Sequence, residues 1–73
     1  MSVEWPYVGS VCIDPAGGCV RVAAVEDFAG DHPSSLGAHF VVIQPLDVNG
    51  REVGALLRVR RASFLHFYYP VLT

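Results

Sequence analysis

YVGSVCIDPAGGCVRVAAVE, residues 7–26, is the stretch whose reading decides the fold class. Its centre, Asp14-Pro15-Ala16-Gly17-Gly18, is a turn with a mechanism: Pro presets φ, the Asp side chain bonds back to the backbone, and Gly supplies a positive φ. The flanks, Tyr7 to Ile13 and Cys19 to Glu26, read as strands. Val20, Val22 and Ala24 lie on one face of the second, with Arg21 on the other. A hairpin with one apolar face must lie against something, so the chain is expected to be mainly β and antiparallel.

The rest of the chain extends that pattern. Asp27 to Ala38 holds Gly30, Pro33, Ser34, Ser35 and Gly37 and reads as a loop, long enough for so small a domain to suggest function. His39 to Leu46 is the strongest strand, with Pro45 marking an edge or a terminus. Asp47-Val48-Asn49-Gly50 is a second hairpin turn, with Asn-Gly favouring positive φ. Residues 51–69 carry two readings. As strands, Leu57 and Val59 face inward and Arg58 and Arg60 outward, a short turn follows at Arg61 to Phe64, and Leu65 to Tyr69 is the last strand. As a helix, Val53, Leu56, Leu57, Phe64 and Tyr68 fall near i, i+3, i+4 spacing, which gives an α+β alternative with a helix in 51–63. The strand reading is preferred because the helix would place Arg60 in the apolar stripe.

At 73 residues the chain is read as one small β domain, with residues 1–6 a loose lead anchored by Trp5-Pro6. Long loop, hairpin, short turn and final strand over residues 7–69, with Arg61-Ala62-Ser63-Phe64 as the turn, resemble an SH3-like barrel. The expected fold is therefore a small antiparallel barrel of that type or a twisted sheet. Fully 52% of the residues are hydrophobic and eight are aromatic. A domain of this size encloses only about a dozen to fifteen large side chains, so apolar surface should remain outside, where it marks a partner site.

Charge narrows the function class. The net charge is −2, unlike the basic balance of a general nucleic-acid binder. It is unevenly spread. Residues 1–47 carry Glu4, Asp14, Glu26, Asp27, Asp31 and Asp47 against Arg21 alone, while residues 48–73 carry Arg51, Arg58, Arg60 and Arg61 against Glu52. All the basic residues are Arg, which favours bidentate, stacked and partly buried contacts. The longest apolar run, Phe40 to Ile43, is far below the roughly 20 residues that span a bilayer, so no membrane is expected. An N-terminus carrying Glu4 and Pro6 lacks the form of a signal peptide, so a cytoplasmic, reducing location is expected, with Cys12 and Cys19 as thiols.

Enzymatic readings find little footing. Cys12, Cys19, His32 and His39 are zinc-ligand types, but six residues separate the cysteines where structural zinc usually has two to four. No metal or cofactor is expected. Asp31, His32 and Ser34 or Ser35 supply hydrolase residue types without any nucleophile-elbow pattern. The strongest candidate site is instead a partner-binding surface built from Arg58, Arg60, Arg61, His66, Tyr68 and Tyr69, joined by Trp5, since Arg, Tyr and Trp dominate interface energies.

These features predict a non-enzymatic protein-binding module, monomer or homodimer, that regulates or inhibits a larger protein complex. The alternative is a nucleic-acid-binding small barrel that uses the Arg and aromatic side chains to hold phosphates and stack bases. As a compact, acidic, lysine-free single domain, the chain resembles the short proteins that bacteriophages make to seize host machinery. Inhibitors of host RNA polymerase are examples, and the resemblance implies a role in transcription regulation.

Overall fold

The computed structural model describes residues 5–27, 30–31 and 38–71. Six strands and one helix follow in chain order: β1 Val11–Ile13, β2 Cys19–Asp27, β3 Gly30–Asp31, β4 Phe40–Leu46, β5 Leu57–Arg60, α1 Arg61–Phe67 and β6 Tyr69–Pro70. The antiparallel strands lie in the order β5-β4-β2-β1-β6, and β3 pairs with β2.

Both hairpins use one device. Asp14 Oδ1 accepts from the Ala16 and Gly18 amides at 3.0 and 2.7 Å, and Asp47 Oδ1 accepts from the Asn49 and Arg51 amides at 2.8 and 2.9 Å. The Gly17 and Gly50 amides donate to the carbonyls of Asp14 and Asp47, both at 3.0 Å. Gly17 and Gly50 adopt φ of 90° and 81°, whereas no described non-glycine residue has a positive φ. Each turn therefore needs one left-handed residue. At the second turn Gly50 takes that role and Asn49 does not.

Pairing of β2 with β4 forms the middle of the sheet, from Cys19↔Leu46 to Glu26↔Phe40. A register shift between Val22 and Ala24 changes which side chains face the core. Val20, Val22 and Val25 are buried and Ala24 is not, so the expected face Val20, Val22 and Ala24 is corrected at its third member. The covered face also gathers Cys12, Val41, Ile43 and Phe64, with Trp5, Val59 and Tyr68 packed against it.

The sheet does not close. Its outer strands β5 and β6 are four and two residues long and lie at opposite ends of the strand order, too short to meet around a barrel. The twisted-sheet form of the expectation holds and the SH3-like barrel does not. In place of closure, α1 lies over one face. Its side chains explain why residues 61–67 are helical. Phe64 is fully buried, Arg61 and Tyr68 are half-buried, and the residues between them are exposed. Spacings of three and four put one stripe on the sheet, which a strand from Leu65 to Tyr69 could not do. That expected strand is thus replaced by the end of the helix and the short β6. The helix expected in 51–63 is also displaced. Gly54 at φ 73° interrupts the first part of that span, and β4 recruits Leu57–Arg60 as a strand.

Candidate protein-binding surface

The register of β4 with β5 places the arginines. Phe40 lies opposite Arg60, Val41 opposite Val59, Val42 opposite Arg58 and Ile43 opposite Leu57. Strand alternation sends Val59 and Leu57 to the covered face and Arg58 and Arg60 to the open one. The inward and outward sides expected for residues 57–60 are those observed, although Leu57, at the sheet's edge, remains exposed.

Three contacts fix Arg58. Its Cζ lies 3.8 Å from the centre of the Phe40 ring, its Nε donates to Glu26 Oε1 at 3.2 Å, and its Nη2 donates to the Asp27 carbonyl at 3.3 Å. Arg58 thus joins β5 to β2 across β4, and its charge is matched by Glu26. Arg21 is likewise paired with Glu52. Near this pair, the Gln44 side-chain amide donates to the carbonyls of Pro45, Val53 and Gly54, tying residues 53–54 to β4.

Arg60 and Arg61 differ from these two. Arg60 is exposed and has no ion pair among the described residues. The Arg61 amide donates to the His39 carbonyl at 2.8 Å, anchoring the helix to β4. Its side-chain Nε is buried with no hydrogen-bond partner among the described residues. A buried donor left without an acceptor costs about 1–3 kcal/mol, so a ligand carrying an acceptor would relieve it. Beside it is a cavity of about 250 Å³ lined by Ala38, His39, Phe40, Arg60, Arg61 and Ala62.

The other expected site residues are dispersed. Trp5 and Tyr68 flank Phe64, with ring centres 5.1 and 4.7 Å away, and Tyr68 stacks on it at 13°. Both help to complete the core. Burial holds the Tyr68 phenol above its ordinary range, with the charge of Asp14 acting in the same direction. His66 is exposed on α1, edge-on to Phe67 at 4.6 Å. Tyr69 is exposed on β6, at the opposite end of the sheet from β5. The geometry therefore sets Arg58 and Arg60 together on the open face of β5, places Arg61 with Tyr68 in the helix stripe that faces the sheet, and leaves Tyr69 at the far end of the strand order. Sequence reasoning missed Phe40, Glu26, His39 and Ala38 as neighbours of the arginines. Their proximity depends on strand pairing, which left no local signal.

Apolar residues continue from the arginines along the chain. Val53, Leu56 and Leu57 are 43%, 56% and 51% exposed. The expected surplus of apolar surface is present, and part of it lies beside β5.

Cys12 is paired with Val20 and Cys19 with Ile13, so the two thiols occupy adjacent registers and opposite faces. Both are free, and burial pushes the Cys12 thiol above its ordinary range against a lowering hydrogen bond from Ser10. Among the described residues no three His, Cys, Asp or Glu side chains are grouped as metal ligands. The side chains of Asp31, His32, Ser34 and Ser35, and most of the loop from Asp27 to Ala38, lie outside the described residues. No described helix is long and apolar enough to cross a membrane. Comparison of the chain with protein-family models, with curated proteins and with solved structures returns no match in any of the three.

Proposed function

We propose that this chain is a non-enzymatic protein-binding module that acts by occupying a surface of a larger protein assembly and so regulating or blocking it. One observation carries the reading. Arg60, the last residue of the outer strand β5, and Arg61, the first of α1, have no counter-charge among the described residues, and β5 carries exposed Leu57 next to exposed Leu56. Arginine beside exposed apolar area is the composition of an interface centre. The chain's uneven charge, acidic before residue 48 and basic after it, would orient a partner during encounter.

The nucleic-acid alternative draws less support. A base-stacking site needs an open aromatic face beside the cations, and the Phe40 face is already covered by the Arg58 guanidinium. The net charge of −2 also opposes approach to phosphates.

Quantitative affinity capture tests the proposal, with immobilised wild type, Arg60→Ala/Leu57→Ser and Val48→Ser as baits. Val48 is fully exposed in the second turn and serves as the control. The expected result is a protein retained by wild type and Val48→Ser but weakened by about 30-fold or more in the double variant, the loss of roughly one hot spot. Equal retention by a folded double variant would remove this surface from function.

A further inference from the structure

The geometry points to an extended peptide with alternating acidic and apolar side chains as the partner element, added as a new strand along the outer edge of β5. This deepens the protein-binding reading above and rests on it.

Backbone direction supplies the first argument. The Arg61 amide donates toward β4, to the His39 carbonyl. Backbone groups alternate sides along an antiparallel ladder, so those of Arg58 and Arg60 are aimed away from β4, toward the edge. Among the described residues no strand pairs with that edge. An unpaired row of donors and acceptors is a template for one more strand.

Side-chain alternation supplies the second. Viewed along this edge, the open face presents Arg58 and Arg60, and the covered face presents Leu57 and Val59. An added strand places its own side chains on the same two faces by turns. Acidic residues would then lie beside the arginines and apolar ones beside Leu57. The cavity lined by His39, Arg60 and Arg61 lies at the Arg60 end of β5.

Charge also decides against a second copy as occupant. Antiparallel self-pairing of β5 that keeps the faces aligned sets Arg58 opposite Arg58, Arg58 opposite Arg60, or Arg60 opposite Arg60. Like charges directly opposite destabilise such a pair. The same arginines that keep copies apart favour a strand of opposite sign.

The probe is a fluorescein-labelled octapeptide of alternating Glu and Val with blocked ends, titrated against the full chain by anisotropy. A block peptide with the same composition and an alternating Lys–Val peptide are the comparisons. The expected result is binding of the Glu–Val alternation at least about tenfold tighter than of either comparison. N-methylation of alternate peptide amides should abolish binding in one phase and spare it in the other, because only one peptide edge faces β5. Arg60→Glu, checked for an unchanged melting temperature, should weaken the Glu–Val peptide and strengthen Lys–Val. Equal binding of the block peptide, insensitivity to methylation phase, displacement by a single-stranded oligonucleotide at equal concentration, or self-association through β5 would each overturn the inference. If capture depends on Arg60 and Leu57 while the alternating peptide fails to bind, the protein-binding reading stands and the added strand does not.

Discussion

Arg58 and Arg60 are two residues apart on one strand face, yet the structure assigns them different work, and single substitutions should separate it. Arg58→Ala removes a cation–π contact at 3.8 Å and an ion pair to Glu26 at 3.2 Å. The Arg58 side chain is half-exposed and that of Glu26 about a quarter exposed, so solvent screens the pair. An exposed ion pair contributes about 0.2–1 kcal/mol and an exposed cation–π contact about 0.5–1 kcal/mol. The two share one guanidinium and are not additive, which leaves about 1 kcal/mol for the residue. For a domain of this size that is a drop of about 4–8 °C in melting temperature. Arg60→Ala removes no ion pair among the described residues and should cost less than about 0.5 kcal/mol. Thermal and urea melts of both variants, with Glu26→Gln and the Arg58→Ala/Glu26→Gln double variant, complete the measurement. The double variant should be less destabilised than the sum of the singles. Arg60→Ala destabilising as much as Arg58→Ala, or a cycle with no coupling, would refute the division of the arginines into one that ties strands together and one that is free for a partner.

Four further outcomes follow from the fold. Phe64→Ala, at a fully buried ring between Trp5 and Tyr68, should cost about 3–5 kcal/mol in urea denaturation, a large share of the stability of a domain this small. Gly50→Ala, at φ 81°, should cost about 1 kcal/mol by the same assay, although an added Cβ meets nothing within 4 Å, because the penalty is conformational. Cys12 and Tyr68 both have folded-state pKa values raised above the ordinary values of 9.0 and 10.0. Both acids then hold their protons more tightly when folded, so their contribution is fully present below pH 9 and is lost as pH rises through the raised values. Melting temperature should fall above pH 9, and Tyr68→Phe should reduce that slope. At neutral pH a thiol reagent should label half-buried Cys19 well before buried Cys12.

What the sequence made legible was local. Asp14 with Gly17, and Asp47 with Gly50, announce turns whose bonds stay within five residues, and alternation in Leu57-Arg58-Val59-Arg60 announces faces. Two kinds of information were hidden. One is register. Nothing near Phe40 says that Arg58 will lie over it, because the contact requires β4 and β5 to pair as Val42↔Arg58. The shift between Val22 and Ala24 likewise exchanges Ala24 for Val25 in the core without altering the composition of β2. The other is competition between propensity and packing. Leu65 to Tyr69 is rich in strand-forming residues, yet an open sheet leaves Val22, Val41 and Ile43 needing a cover. One aromatic ring delivered by a helical turn covers them better than a strand at the edge. The site inherits both difficulties. Arginines one to three positions apart in sequence look like one patch, but strand alternation and the ensuing helix aim them differently. Tyr68 and Tyr69, adjacent in sequence, serve the core and the surface respectively. Arg60 remains from that cluster as the exposed cation without an ion pair among the described residues. A strand added at β5, as proposed, would therefore meet an arginine that the fold has not already used.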